Sequence, residues 1–145
     1  MKSLSTLSAG EFTAQDIVRM ESLILKTLQW NLCPPTASSF CHHFYFLLPT
    51  KINETVKKTV LQRSCFYCEL SLVQGNLVVL KPSQVAFAAM LNAMNDVCID
   101  ESLTSLHAKQ RFLQDIELHT GMRHDLESIE FAREEMISLY KRSKQ

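Results

Sequence analysis

The segment Pro82–Val97, PSQVAFAAMLNAMNDV, has apolar residues around almost its whole circumference when it is drawn as a helix. A helix that is apolar on all sides is buried, so other elements have to surround it. The chain has 145 residues, enough for one compact domain with a real core and too few for two full ones. We therefore predict an all-α domain with this segment as its buried central helix.

Five further helices are predicted from apolar residues at helical spacing and from the breaks between them. Thr13 and Thr36 are suitable N-caps, while Gly75 and Gly121 end helical patterns. The short apolar run Asn76–Leu80 is interpreted as a loop or a helix entrance. The last five of the six helices form one set, and the first stands outside it. The five further helices span about residues 13–29, 36–48, 53–73, 102–119 and 125–141.

The charge balance and the cysteines narrow the class of protein. The 15 basic and 15 acidic residues cancel, which argues against a broad nucleic-acid surface and against a polybasic membrane anchor. The longest apolar run, Val85–Leu91, is too short to span a bilayer, and no secretory signal is expected after Met1. Five scattered cysteines are typical of an intracellular protein with reduced thiols.

One charged residue conflicts with the pattern of the first helix, Thr13–Gln29. Glu21 projects near the middle of the apolar face at 100° per residue. A buried carboxylate without donors is costly, so Glu21 either meets a partner at an interface or reaches solvent or a local Arg or Lys. Periodicity alone favours the second alternative. The apolar residues of the face are Ile17, Met20, Ile24, Leu25 and Leu28.

The stretch DIVRMESLILKTLQWNLCPPTASSF, Asp16–Phe40, resembles the cyclin family. In cyclins, D-I-x-x-M-E-x-x-I-L-x-x-L-x-W closes the first cyclin box, and P-T with a Phe four residues on opens the second. CELSL, KPSQVAFAAM and the pattern of the last helix resemble the second box more loosely. The residues that match the first pattern and the linker are Asp16, Ile17, Met20, Glu21, Ile24, Leu25, Leu28, Trp30, Pro35, Thr36 and Phe40.

The resemblance covers Phe12 to Arg142 and implies a domain organisation. Residues 34–145 would be a C-terminal cyclin box, a five-helix domain with a buried central helix. Residues 1–33 would be a disordered start and the last helix of an incomplete N-terminal cyclin box. We therefore expect Ile17, Ile24 and Leu25 to be partly exposed or packed on the second box, because the rest of the first bundle is missing from the sequence.

The resemblance also implies a function. Cyclins are non-catalytic regulatory subunits that bind a cyclin-dependent serine/threonine protein kinase and regulate the cell cycle, in the nucleus or the cytoplasm. The glutamate that matches Glu21 accepts hydrogen bonds from the kinase backbone, and the residues that match Leu25 and Trp30 pack against a mobile kinase helix. The expected kinase-binding residues are therefore Glu21, Leu25 and Trp30. No catalytic residue, cofactor, metal, nucleic acid, membrane or small-molecule substrate is expected.

The sequence departs from a full cyclin in its first box. The lysine that works beside the motif glutamate and the M-R-A-I-L-type substrate patch have no counterpart, and MRHDL at Met122–Leu126 matches that patch in letters only. Kinase activation is therefore in question. The alternatives are a stand-alone cyclin-fold interaction module and a truncated gene product without kinase-activating function. A DNA-binding cyclin fold, as in transcription factor IIB, is disfavoured by the neutral charge.

Cysteines and histidines offer weaker candidate sites. Cys65 and Cys68 form a C-x-x-C pair, which favours zinc or redox chemistry in some contexts. The pair lies on the apolar side of a predicted helix, so buried structural thiols are the preferred interpretation. His42 and His43 point about 100° apart on a helix, so a metal site that they share with Cys41 is disfavoured.

Overall fold

The computed structural model describes residue 7, residues 9–97 and residues 103–143. The chain divides into two compact units, Met1–Pro34 and Pro35–Gln145, each of which is described by itself. The disordered start predicted for the chain falls mainly on residues 1–6, which lie outside the described residues, as does Cys98. Every regular element of the described residues is helical, which confirms the all-α prediction.

The helices match the predicted segments to within three residues at each end. A single 3-10 turn, Gly75–Leu77, occupies the start of the run that was predicted as a loop or helix entrance. Among the described helices, none is both long and apolar enough to cross a membrane. The helices are α1 (Ala14–Thr27), α2 (Ala37–Tyr45), α3 (Glu54–Ser71), α4 (Pro82–Val97), α5 (Leu103–Thr120) and α6 (Glu127–Ser143).

In the first unit, α1 begins with a capping box. The side-chain oxygen of Thr13 accepts a hydrogen bond from the backbone N–H of Asp16 at 3.2 Å. The carboxylate of Asp16 accepts one in return from the backbone N–H of Thr13 at 3.0 Å. Two N–H groups that the first turn leaves without helical partners are thereby satisfied. No residue of α1 is buried, so the capping box is a local contribution to the stability of this helix.

In the second unit, α4 is the core. All ten residues from Val85 to Met94 are buried, which confirms the central helix predicted from its apolar circumference. Helices α2, α3 and α6 pack directly on α4. From α5, Phe112 and Ile116 are fully buried, and the Phe112 ring lies 6.3 Å from that of Phe87 in α4. Side chains from four helices therefore surround one buried helix.

A buried amide side chain links two helices of this core. Asn92, in the middle of α4, is 1% exposed. Its amide nitrogen donates to the carbonyl oxygen of Arg133 in α6 at 3.0 Å, and its amide oxygen accepts from Nε of Arg133 at 3.2 Å. The two bonds fix α6 against α4 at one register, because a shifted helix would leave a buried amide without partners.

Candidate functional site

Glu21 lies on the exposed surface of α1. Its carboxylate makes no hydrogen bond or ion pair with any other described residue. The conflict between its charge and the apolar pattern therefore disappears within the first unit, because the face that surrounds it is not buried. A solvated carboxylate carries no burial cost, and its oxygens remain available to accept hydrogen bonds from a partner.

The side chains around Glu21 form an exposed apolar surface, which we name the α1 face. Ile24 is 50% exposed, while Ile17 and Leu25 are half-buried, so the prediction that these three are not deeply buried is confirmed. Exposed apolar groups grouped on one face are typical of an interaction site. The α1 face comprises Ile17, Met20, Glu21, Ile24, Leu25 and Leu28.

Trp30 follows the end of α1 and is 67% exposed. Gln29 and Trp30 both have positive φ values, 49° and 59°, in the left-handed region that side chains disfavour. The helix therefore stops after its cap, Leu28, and the chain reverses, so that the N–H of Trp30 bonds to the carbonyl of Leu25. Glu21 lies one turn before Leu25, at the i, i+4 spacing of surface neighbours. Glu21 and Leu25 are therefore surface neighbours on α1, and a backbone hydrogen bond joins Trp30 to Leu25.

A second group of reactive side chains lies in the second unit. The sulfur of Cys41, in α2, is 3.5 Å from the sulfur of Cys68, in α3, and both residues are buried. The Cys41 sulfur also lies 3.8 Å from the carbonyl oxygen of Ala86 in α4. No hydrogen bond joins Cys68 to Cys65 among the described residues. The closest contact of Cys68 therefore crosses between helices and lies outside the C-x-x-C pattern.

The two buried thiols affect one another's ionisation. A thiolate at Cys41 would accept a hydrogen bond from the Cys68 thiol, which lowers the pKa of Cys41 against the opposing effect of burial. The same bond, together with burial, raises the pKa of Cys68. Burial is also the main cause that raises the pKa of Cys65.

The histidine candidates lie apart from this group. His42 and His43 are both exposed, and Nδ1 of His42 is 2.8 Å from the carbonyl oxygen of Ser38. Within residues 9–97 and 103–143, no three His, Cys, Asp or Glu side chains are placed to hold a metal ion. The disfavoured metal site that the histidines would share with Cys41 has no structural support, because the Cys41 sulfur contacts the Cys68 sulfur in the interior.

A shallow pocket in the second unit was not predicted from the sequence. It measures about 340 Å³ and lies where α2, the start of α4 and the end of α5 come together. The rings of Phe40 and Phe44 form one wall, with centroids 6.1 Å apart. The other lining residues are Lys81, Ser83, Gln84, Thr120 and Met122.

Comparison with known proteins identifies several relatives. Cyclin-B1-3 of Oryza sativa subsp. japonica is 28% identical over 140 residues, or 97% of this chain and 26% of the relative. Cyclin-B1-1 of the same plant is 36% identical over 60% of this chain and 19% of the relative. The G2/mitotic-specific cyclin-2 of Medicago sativa is 39% identical over 57% of this chain and 23% of the relative. The chain thus spans about a quarter or less of the curated relatives it matches.

The family match covers the same residues as the second compact unit. Residues 35–145 match the family model described as "Cyclin, C-terminal domain", and the compact unit is Pro35–Gln145. No solved structure matches the chain. The helix order and the buried central helix agree with the expectation from the resemblance. The chain therefore belongs to the cyclin family, and residues 35–145 match its C-terminal domain.

Proposed function

We propose that the chain is a non-catalytic regulatory subunit that binds a cyclin-dependent serine/threonine protein kinase and regulates the cell cycle. The alignment with Cyclin-B1-3 leaves at most five residues of the chain unmatched, so it includes α1 as well as the C-terminal domain. The name of a second relative, G2/mitotic-specific cyclin-2, describes a cell-cycle role. We further propose that α1 is the last helix of a first cyclin box.

The observation that carries the proposal is the combination of charge and apolar surface on the α1 face. Glu21 is an exposed acceptor without a partner among the described residues, and exposed apolar side chains surround it. Backbone N–H groups of a kinase segment that packs on this face would donate to the Glu21 carboxylate. Hydrogen bonds to a charged group contribute about 1.5–3 kcal/mol, more than neutral ones.

Leu25 and Trp30 would supply the apolar part of the interface. Trp30 is a large aromatic side chain that is 67% exposed and is held in a hydrogen-bonded turn. Tryptophan is enriched among the interface residues whose truncation to alanine weakens binding by about 2 kcal/mol or more. Because the turn fixes the backbone beforehand, little backbone entropy is lost when this side chain enters a kinase pocket.

The kinase would perform the chemistry in this complex, and the present chain would bias its conformation. A regulatory subunit stabilises the active kinase conformation only as far as it binds that conformation more tightly than the inactive one. Glu21, Leu25 and Trp30 are the proposed source of this difference. No cofactor, nucleic acid, membrane or small-molecule substrate takes part in the proposed function. The complex would act in the nucleus, the cytoplasm or both.

The test is a binding measurement between the full chain and purified cyclin-dependent kinases. The double variant Glu21→Ala, Trp30→Ala is expected to raise the dissociation constant at least tenfold, which corresponds to about 1.4 kcal/mol. The matched control changes Glu11 and Phe46 to Ala, an exposed carboxylate and an exposed aromatic residue that lie off the α1 face. This control is expected to bind like the unchanged chain.

A kinase assay on the complex then separates activation from occupancy. Binding that fails in the double variant, with higher activity in the unchanged complex, would support the whole proposal. Binding without activation would limit the chain to occupying the kinase. Equal affinities of the double variant and the control would contradict the α1 interface. If no kinase bound at all, the alternative of a stand-alone cyclin-fold interaction module would take its place.

A further inference from the structure

The contact between Cys41 and Cys68 joins two helices whose cysteines lie 27 residues apart in sequence. Cys41 is 0% exposed and Cys68 is 3% exposed, so the two sulfurs face one another inside the core. Their separation of 3.5 Å exceeds the S–S bond length of about 2.05 Å by only about 1.5 Å. Small side-chain rotations of that size are within the reach of a folded core.

We propose that Cys41 and Cys68 form a redox-sensitive pair that hydrogen peroxide converts into a disulfide between α2 and α3. This site is independent of the kinase-binding proposal, since both cysteines belong to the second unit. Peroxide is close in size to water, so it enters the core through local fluctuations that exclude larger oxidants. The reaction couples the oxidation of two thiols to the reduction of one peroxide.

The first step takes place at Cys41. Its thiolate attacks one peroxide oxygen, the O–O bond breaks, and the leaving hydroxide takes up a proton to become water. Cys41 is then a sulfenic acid. The Cys41 thiol is the better nucleophile of the pair because the hydrogen bond from Cys68 stabilises its thiolate.

The second step closes the disulfide. The Cys68 sulfur attacks the Cys41 sulfur, the S–O bond breaks, and the hydroxide leaves as water with the proton that Cys68 loses. Two thiols and one peroxide thus give one disulfide and two waters. The Cys68 sulfur already lies in contact with Cys41, so closing the bond requires the two sulfurs to approach by only about 1.5 Å.

Cys65 provides an internal comparison. It is more exposed than Cys41 or Cys68, and it precedes Cys68 by three residues on α3. If exposure alone decided which thiol reacts, Cys65 and the exposed Cys33 would be oxidised first. The geometry makes the opposite prediction, because only Cys41 and Cys68 are in sulfur–sulfur contact among the described cysteines.

The first measurement needs no variant. The full chain is treated with stoichiometric hydrogen peroxide, the peroxide is removed, and free thiols are alkylated with iodoacetamide in denaturant so that buried thiols also react. Chymotrypsin then cuts at Phe40, which separates Cys33 from Cys41, and at Phe66 and Tyr67, which separates Cys65 from Cys68. Mass spectrometry is expected to find the Cys41 and Cys68 peptides joined, and dithiothreitol to release them.

Two variants complete the test. Cys65→Ser is expected to keep the cross-link, while Cys68→Ser is expected to lose it and to leave a Cys41 sulfenic acid that dimedone traps when it is added together with denaturant. Far-UV circular dichroism checks that each variant is folded. Alkylation of both Cys41 and Cys68 after peroxide treatment of the folded, unchanged chain would overturn the proposal. A cross-link made mainly through Cys33 or Cys65 would overturn it as well.

Discussion

The backbone N–H of Trp30 donates a hydrogen bond to the carbonyl oxygen of Leu25 across 2.9 Å. The N–H of Gln29 donates to the carbonyl of Lys26 at 3.0 Å, and Gln29 has a left-handed φ of 49°. These two bonds and the left-handed residue make up a Schellman motif, in which an apolar pair commonly flanks the turn. The two apolar residues of the proposed kinase site are therefore the two ends of one backbone hydrogen bond.

Gln29 is expected to control how firmly this turn is formed. A left-handed conformation costs roughly 1–2 kcal/mol for a residue with a Cβ atom, and glycine avoids this cost. Gln29→Gly should therefore slow hydrogen exchange at the Trp30 amide. A stabilisation of about 1 kcal/mol corresponds to an exchange rate about fivefold lower. Gln29→Val should expose the same amide, because a β-branched side chain is poorly accommodated at positive φ.

The same two changes at Asn31 provide the control. Asn31 follows the turn and does not have a positive φ. Glycine and valine at this position are expected to change the protection of the Trp30 amide little. Equal responses at Gln29 and Asn31 would mean that the left-handed conformation is not what limits the turn.

The N-terminal end of α1 depends on Thr13. Thr13→Ala removes the hydroxyl that caps Asp16, and loss of such an N-cap typically costs about 1 kcal/mol. Amides in the first turn of α1 should consequently exchange faster than in the unchanged chain. Thr27→Ala is a suitable control, because its hydroxyl bonds to the Leu23 carbonyl near the other end of the helix. Similar exchange in both variants would argue against the capping box.

The capping box also makes the helix sensitive to acid. Hydrogen bonds from the side chain and the backbone of Thr13 lower the pKa of Asp16 below 3.8. Because the folded pKa is the lower one, the stabilisation is present above pH 3.8 and is lost as the pH falls through the folded value. An NMR titration of the Asp16 side chain should give a midpoint below 3.8, and Thr13→Ala should move that midpoint upward.

Much of the helical framework was predictable, because its signals are local. Thr13, Thr36 and Asn53 all cap helices through their side chains, close to the predicted starts. The central helix was predicted with the bounds that the structure has, Pro82–Val97, because a segment that is apolar all round has one stable environment. The turn at Gln29 was not predicted, since glycine is the usual residue at a left-handed helix end.

The sites were harder to predict than the helices, for two different reasons. The pattern identified the surface that contains Glu21, but periodicity alone does not distinguish a buried apolar face from an exposed one. The contact between Cys41 and Cys68 joins positions 27 residues apart, so no local spacing indicates it. The C-x-x-C pattern instead drew attention to Cys65, which makes no bond to Cys68. Tertiary packing, which the sequence expresses only indirectly, decides both cases.

Asn92 is expected to be important for the stability of the second unit. Asn92→Ala would leave the Arg133 carbonyl and its Nε–H without their partner in α4, and it would create a small cavity. Each buried group left without a partner costs about 1–3 kcal/mol, so we expect a loss of about 2–3 kcal/mol in unfolding free energy. Urea unfolding followed by far-UV circular dichroism measures this difference.

Asn95 offers a matched control on the same helix. It is exposed, and its side-chain oxygen accepts from Nζ of Lys109 at 2.8 Å. Surface hydrogen bonds contribute little, so Asn95→Ala should change the unfolding free energy by less than about 0.5 kcal/mol. An equal loss in the Asn92 and Asn95 variants would contradict the structural role of the buried amide.

The proposed disulfide should stabilise the second unit. A cross-link between Cys41 and Cys68 closes a loop of 27 residues, and the chain-entropy model gives about 3–4 kcal/mol for a loop of this size. Strain from drawing the two sulfurs together subtracts from this value, so it is an upper limit.

The peroxide-treated chain is expected to unfold at a higher urea concentration than the same sample after dithiothreitol. In Cys68→Ser, which has no partner for Cys41, peroxide should give no such increase. A cross-linked sample that unfolds at the same urea concentration as the reduced one would mean that strain cancels the entropic gain.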